Sequence, residues 1–421
     1  MGWTFRRTDS KGCVPIGPTW PPIYCYGKII EAVNFWGARM LFQNDSKHFV
    51  DRPLKKEAKK IVEEFTSTFG GNELDVSKMN EQQVDQLAKF VRENFGRADG
   101  VLIAYTPEDW VENPPKLERI KDAEFKKWAK QLNELWKELS RKMPDLNCNP
   151  GQQNHSLICV PQPFVVPGGR FREFYYWDAY WIVKGLIASG MTTMVKNMCM
   201  NFAEMVNRFG FVPNGGRIYY DKRSQPSFFT FMEVLPVLEK ELGHWSKNRS
   251  VEVEVGGKQR TFYQYRADSN IPRPESFCQD VQLVTNISNT QRKADIWKNV
   301  ASTAENKYEK FRRAFQRLFY KKKHGVWYDF NIKSGKLHEE YYGSVTVPLF
   351  TRCYDTDDVG TAERMYNRLE KVGVLKHKFG VPTSNINSTQ QWDFPNIWPS
   401  LAHMLIESLR RSGNKSEAEF P

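Results

Sequence analysis

The chain has no C-x-x-C pair, and its seven cysteines are widely spaced and odd in number. That pattern predicts neither a disulfide framework nor a zinc site. The seven histidines are equally dispersed, so no metal and no cofactor is expected. No apolar run approaches the ~18 residues needed for a membrane span. Residues 1–26 carry Arg6, Arg7 and Lys11 but no apolar h-region, so no signal peptide is visible. No self-similarity at a fixed period marks a repeat array. The net charge of +12 is not gathered into a basic patch. In Leu54-Lys-Lys-Glu-Ala-Lys-Lys60 the lysines read as the solvated face of a helix, and Lys321-Lys-Lys323 runs into a His-Gly turn. Nothing beyond net charge supports a nucleic-acid partner.

What is present is helical periodicity. The chain has 421 residues, 40% hydrophobic and 14% aromatic, enough for a sizeable core. Leu54, Ala58, Ile61, Val62 and Phe65 share one face, as do Trp128, Leu132, Leu135, Trp136 and Leu139. Asn80 predicts the N-cap of a helix through Val84, Leu87, Ala88, Val91 and Phe95, closed by Gly96. Further helices are expected from Trp177 to Ser189-Gly190 and from Met191 to Phe209, closed by Gly210. Strand signals are few. Val251, Val253 and Val255 alternate with polar residues before Gly256-Gly257, and Arg260 to Tyr265 returns as a hairpin. Residues 143–170, rich in Pro, Gly and Asn, read as a long loop. The fold class is therefore all-α with functional loops.

Residues 167–180, Pro-Gly-Gly-Arg-Phe-Arg-Glu-Phe-Tyr-Tyr-Trp-Asp-Ala-Tyr, concentrate aromatics, arginines and carboxylates behind a Gly-Gly turn. This chemistry suits a sugar. Aromatic faces cover the C–H side of a pyranose while Arg and carboxylate groups hold its hydroxyls. Taken alone, Tyr175 and Trp177 read as core aromatics and Asp178 as a helix-start residue. Three further strings follow: Phe211-Val-Pro-Asn-Gly-Gly-Arg217, Arg223-Ser-Gln225 and Arg273-Pro-Glu275. Gln390-Gln-Trp-Asp-Phe-Pro-Asn-Ile-Trp398 stands near the end of the chain.

The 167–180 string closely resembles the first signature of the trehalases, inverting glycoside hydrolases that split α,α-trehalose into two glucoses. The 390–398 string resembles the second, with Ile397 where Gly or Ala is usual. Asn44-Asp-Ser-Lys47 with Phe49-Val-Asp51 is similar to an early family stretch. The resemblance covers the chain from Ile23 onward. It implies an (α/α)6 toroid over 27–421, with residues 1–26 as an N-terminal segment of uncertain structure. It implies that Arg170, Phe171, Tyr175, Trp177, Asp178, Asn214, Arg223, Ser224, Gln225, Arg273, Glu275 and Trp392 bind substrate, and that trehalose or glucose is the ligand. Six Asn-x-Ser/Thr sequons, at Asn44, Asn154, Asn248, Asn286, Asn387 and Asn414, join the family in pointing to a secreted or membrane-anchored ancestry.

Two family pieces are missing. The general acid belongs to a Ser-Gly-Trp-Asp segment, and no Gly-Trp-Asp occurs in the chain. Instead Thr303-Ala-Glu305 runs directly into Asn306-Lys-Tyr-Glu-Lys310, which resembles a much later part of the family. The general base lies in a Gly-rich loop beyond the second signature, and the chain stops at Pro421. No catalytic residue is therefore assigned, and the toroid is expected to be incomplete, with apolar stripes facing water. Two functions follow from the resemblance: a trehalase in shortened form, or a non-catalytic sugar-binding relative.

Overall fold

A computed structural model describes residues 23–37, 42, 45–144, 154–225, 250–255, 258–263, 273–284, 287–289, 291–293, 310–331, 334–355, 358, 360–388 and 390–411. The N-terminal segment up to residue 22 and the junction at Glu305 lie outside them.

The chain groups into two compact units. The first takes residues 1–249 and 265–305. The second takes the inserted stretch 250–264 together with 306–421.

The described part of the first unit is mainly helical, as the periodicity predicts, except that the first of the expected faces starts only at Ala58 and leaves Leu54 outside, in a bridge to Phe95. Its main helices are Ala58–Phe69, Glu81–Asn94, Ala123–Leu139, Tyr176–Ala188 and Thr192–Phe209. Asn80 is the expected cap, and Gln83 reaches back to complete a capping box. Gly210 closes its helix in the left-handed region. Gly96 works differently. The helix ends at Asn94, and the Gly96 amide donates to the Pro53 carbonyl at 2.7 Å. A Cβ at Gly96 would stand 2.9 Å from Pro53 Cγ, so close chain approach explains the glycine. A small sheet, Ile103–Ala104, Ser140–Lys142 and Phe164–Val165, ties the expected loop back to the helix before it.

The helix Ala123–Leu139 leaves part of its apolar face outward, although Trp136 packs against Gly185 and its Nε1 donates to Ser189 Oγ at 3.0 Å. Phe125 is 63% exposed and Trp128 57%, with Leu132 and Leu135 also exposed, while Asn133 is buried. Asn133 is held there by two hydrogen bonds, its Nδ2 donating to the Val111 carbonyl and its backbone carbonyl accepting from Trp110 Nε1, while its Oδ1 has no partner among the described residues.

In the second unit the hairpin stands as expected, Ser250–Val255 antiparallel to Lys258–Tyr263. A core of Val326, Trp327, Val345, Leu349, Met365, Leu369 and Leu405 lies among the helices Lys310–Phe319, Thr361–Lys371 and Pro399–Arg411. Two further two-stranded ribbons, Tyr320–Lys321 with Val326–Trp327 and Asp329–Asn331 with Lys336–His338, were too short to show as alternation. Among the described residues no helix is long and apolar enough to cross a membrane.

The cysteine expectation is corrected in part. Cys25 and Cys159 are each disulfide-bonded, while Cys199 and Cys353 form no disulfide. Spacing along the chain cannot report two thiols brought together by folding, which is why the pattern failed.

Candidate functional site

The signature string begins with a turn that only glycine makes easily. Gly168 has φ of 100° and Gly169 of 59°. The turn closes with two backbone hydrogen bonds between Gly168 and Phe171. It delivers Arg170 to Asp45 in a bidentate pair, Nη2 to Oδ1 at 2.6 Å and Nε to Oδ2 at 3.2 Å. Arg170 Nη2 also donates to the Glu275 carbonyl at 3.3 Å, and its guanidinium stands 5.5 Å from the Phe171 ring centroid. Burial alone would raise the Asp45 carboxyl, but Arg170 outweighs it and holds the group below its usual range.

The chain then runs extended beside Asn214-Gly-Gly. The Gly216 amide donates to the Phe174 carbonyl at 2.9 Å, and the Tyr176 amide to the Asn214 carbonyl at 3.2 Å. Both glycines are required by proximity. A Cβ at Gly215 would meet Tyr220 at 2.9 Å and Tyr175 at 3.1 Å, and one at Gly216 would meet Phe174 at 2.6 Å.

The helix Tyr176–Ala188 opens next, and its first-turn Trp177 amide donates to Gln225 Oε1 at 2.8 Å. A side chain far along the chain thus satisfies an orphan donor of the helix. The Trp177 ring packs on Trp181, 5.0 Å between centroids. Asp178 sits in the same turn, and burial pushes its carboxyl up from 3.8 to about 6, its own backbone amide opposing this.

Asn214, Arg223, Ser224 and Gln225 form one loop. The Asn214 amide donates to the Arg223 carbonyl at 2.9 Å, and Ser224 Oγ donates to the Val212 carbonyl at 2.6 Å. Arg223 projects from this loop to Glu275, Nη2 to Oε1 at 2.7 Å, with its guanidinium 5.0 Å from the Tyr220 ring centroid. Arg273 pairs with Asp280, Nη2 to Oδ1 at 2.6 Å and Nε to Oδ2 at 2.9 Å. The partner of Glu275 is thus Arg223, and that of Arg273 is Asp280. Burial raises the Glu275 carboxyl, but Arg223 and Arg273 outweigh it, so the group is held below its usual range.

Under these residues lies an ionic cluster that sequence reasoning missed. Lys47 Nζ meets Asp51 at 2.6 Å and Glu173 at 2.9 Å. Arg217 Nε meets Glu173 at 3.0 Å and Asp51 at 3.2 Å. All four side chains are buried to 1% exposure or less. Ser156 accepts from Arg217 Nη1 at 2.8 Å, and the Tyr219 hydroxyl donates to Asp51 at 3.0 Å. The early Asp-Ser-Lys…Asp51 stretch therefore supplies Asp45 to Arg170 and Lys47 and Asp51 to this cluster. Glu173 and Arg217 come from the two Gly-Gly strings, so the motif was legible but its task was not.

Trp392 lies in the second unit, stacked on Trp398 with centroids 3.6 Å apart. Its neighbour Asp393 accepts from Ser384 Oγ at 2.7 Å and from Ser388 Oγ, which fixes the loop.

The burial of Asp178 predicts a pH effect. Its folded carboxyl holds a proton more tightly than the unfolded one, so stability falls as pH rises from about 4 to 6 and stays reduced above that. Asp178→Asn is expected to change little near pH 4 and to stabilise at pH 8 by about 1–3 kcal/mol. Urea midpoints at the two pH values check this. A midpoint difference that does not depend on pH would remove desolvation as the cause.

A sequence model of the trehalase family matches residues 41–317 and 305–420. Human trehalase is 32% identical over 466 aligned positions, which take in 93% of this chain and 77% of that one. Trehalase from Pimpla hypochondriaca is 30% identical, covering 94% and 78%, and that from Dictyostelium discoideum 32%, covering 92% and 77%. The solved structure of neutral trehalase Nth1 from Saccharomyces cerevisiae matches with a TM-score of 0.46 and 16% identity, over 60% of this chain and 64% of that one. In the human alignment 93% of 421 residues is about 391, so about 75 of the 466 positions face a gap here. The two family matches meet at 305–317, the same place where the sequence jumps at Glu305 and the two units divide. With its helical fold and its match over nearly the whole described length, the chain belongs to the trehalase family of glycoside hydrolases.

Proposed function

We propose that the first unit binds trehalose, or one glucose half of it, through Arg170, Phe171, Trp177, Asp178, Asn214, Gln225, Arg223, Arg273 and Glu275. The observation that carries this is the Arg223–Glu275 pair. Glu275 Oε2 and Arg223 Nε are buried and have no partner among the described residues. Buried polar atoms are rarely left so unless a ligand, an ion or ordered water meets them. A carboxylate only accepts, a guanidinium only donates, and a hydroxyl does both. Two adjacent sugar hydroxyls therefore satisfy both orphans at once, while Phe171 and Trp177 supply apolar faces.

The reaction of the family, as the resemblance has it, is hydrolysis to two glucoses with inversion. For this chain the gap of about 75 positions favours a second reading, a trehalose-binding relative with little turnover. Binding is tested by calorimetry with trehalose and with glucose. Glu275→Gln is expected to weaken the sugar by about tenfold or more, since a hydrogen bond to a charged group contributes about 1.5–3 kcal/mol. A folded wild-type chain that takes up neither sugar overturns the proposal.

A further inference from the structure

We infer that Glu173, which touches no ligand position, is a positioning residue that sets the hydrogen-bond direction of the tyrosines beneath the sugar site. The inference rests on the binding reading above and adds to it. Both oxygens of Glu173 are engaged. Its Oε2 accepts from Lys47 and Arg217, and its Oε1 accepts from the Tyr175 hydroxyl at 2.5 Å. Tyr175 lies 2.9 Å from the Tyr220 hydroxyl.

Donor direction follows by counting protons. A carboxylate between two cations can only accept, so the single Tyr175 proton points to Glu173. The Tyr175 oxygen must then accept, and the Tyr220 proton points to Tyr175. The relay runs one way: Tyr220 to Tyr175 to Glu173. Burial pushes both phenols well above their usual range, so the arrangement survives across ordinary pH. Tyr220 is where the relay reaches the site. Its ring lies under the guanidinium of Arg223, which carries Glu275. Its ring edge and that of Tyr175 also face Gly215, at the distances that forbid a Cβ. With the proton direction fixed, Tyr220 has one orientation, and Arg223 has a fixed floor.

The test compares wild type, Tyr175→Phe, Glu173→Gln and the double variant. Tyr175→Phe removes one buried oxygen and leaves the ion cluster whole, so it keeps the question open if Glu173→Gln fails to fold. Two readouts are used: trehalose affinity by calorimetry, and the tyrosine doublet in ultraviolet resonance Raman spectra, which reports whether phenols donate or accept. Tyr175→Phe is expected to weaken trehalose about tenfold and to shift the doublet without sugar present. Adding Glu173→Gln to Tyr175→Phe is expected to cost stability but no further affinity, because Glu173 reaches the site only through that hydroxyl. An unchanged doublet in Tyr175→Phe, or additive losses of affinity in the double variant, overturns the inference. If wild type binds no sugar but the doublet shifts, the relay stands and the binding reading falls.

Discussion

Purified chain is expected to release glucose from trehalose at least about a hundredfold more slowly than human trehalase under the same conditions. Inverting hydrolysis needs one carboxyl to protonate the glycosidic oxygen and another to activate water on the opposite face. Each such group contributes ~10²–10⁴-fold. The segment that the resemblance expects to carry the acid is missing, and about 75 aligned positions of the human relative have no counterpart. Of the site carboxyls Glu275 and Asp178, Glu275 is already engaged by an arginine and Asp178 is not. Glu275 is held ionised by Arg223 and Arg273, and Asp178, at about 6, has burial but no arginine against it. Those two environments do push a pair apart, as acid and base require. The assay therefore includes Asp178→Asn and Glu275→Gln, and a chimera in which the internal segment of human trehalase is inserted after Glu305 and the part of human trehalase beyond the second signature is joined to the C-terminus. Turnover restored only in the chimera supports the gap as the cause. Robust turnover by the short chain, abolished by either substitution, would move the catalytic assignment onto those carboxyls.

How much of this could be read in advance differs by element. Helices such as Glu81–Asn94 were legible because cap and apolar period are both local signals. The outward face of Ala123–Leu139 was not, because periodicity gives the existence of an apolar stripe and says nothing about what covers it. In the site, Arg170, Arg223, Arg273 and Glu275 stood out as residue types that hold hydroxyls. Their pairing did not: Arg273 and Glu275 stand two residues apart in one string, yet folding joins Arg273 to Asp280 and Arg223 to Glu275. The least legible part was the cluster of Lys47, Asp51, Glu173 and Arg217. Each reads alone as an ordinary surface charge, and only assembly across 170 positions of chain makes them a buried neutral set.

That assembly leads to the largest stability effect expected in the first unit. Arg217→Met should destabilise by about 3–5 kcal/mol, a large share of the roughly 5–15 kcal/mol that a native protein has. The reason is imbalance rather than the loss of an attractive pair. Two cations and two anions share this interior, and without Arg217 both Asp51 and Glu173 must be held by Lys47. Arg172 stands 3.6 Å from Asp51 and is partly exposed, so it compensates weakly. The same substitution at Arg170 is the control. Its pair with Asp45 is open to solvent, 35% and 27% exposed, so Arg170→Met should cost about 1 kcal/mol or less. The decisive variant combines Arg217→Met with Glu173→Gln, which removes one charge of each sign and leaves Lys47–Asp51 as a neutral pair. If charge balance governs, the double variant is more stable than Arg217→Met alone, although it has lost more native contacts. Urea denaturation followed by tryptophan fluorescence gives all the midpoints. A double variant weaker than the single one would mean that individual contacts, and not the neutrality of the set, hold Glu173 in place beneath Tyr175.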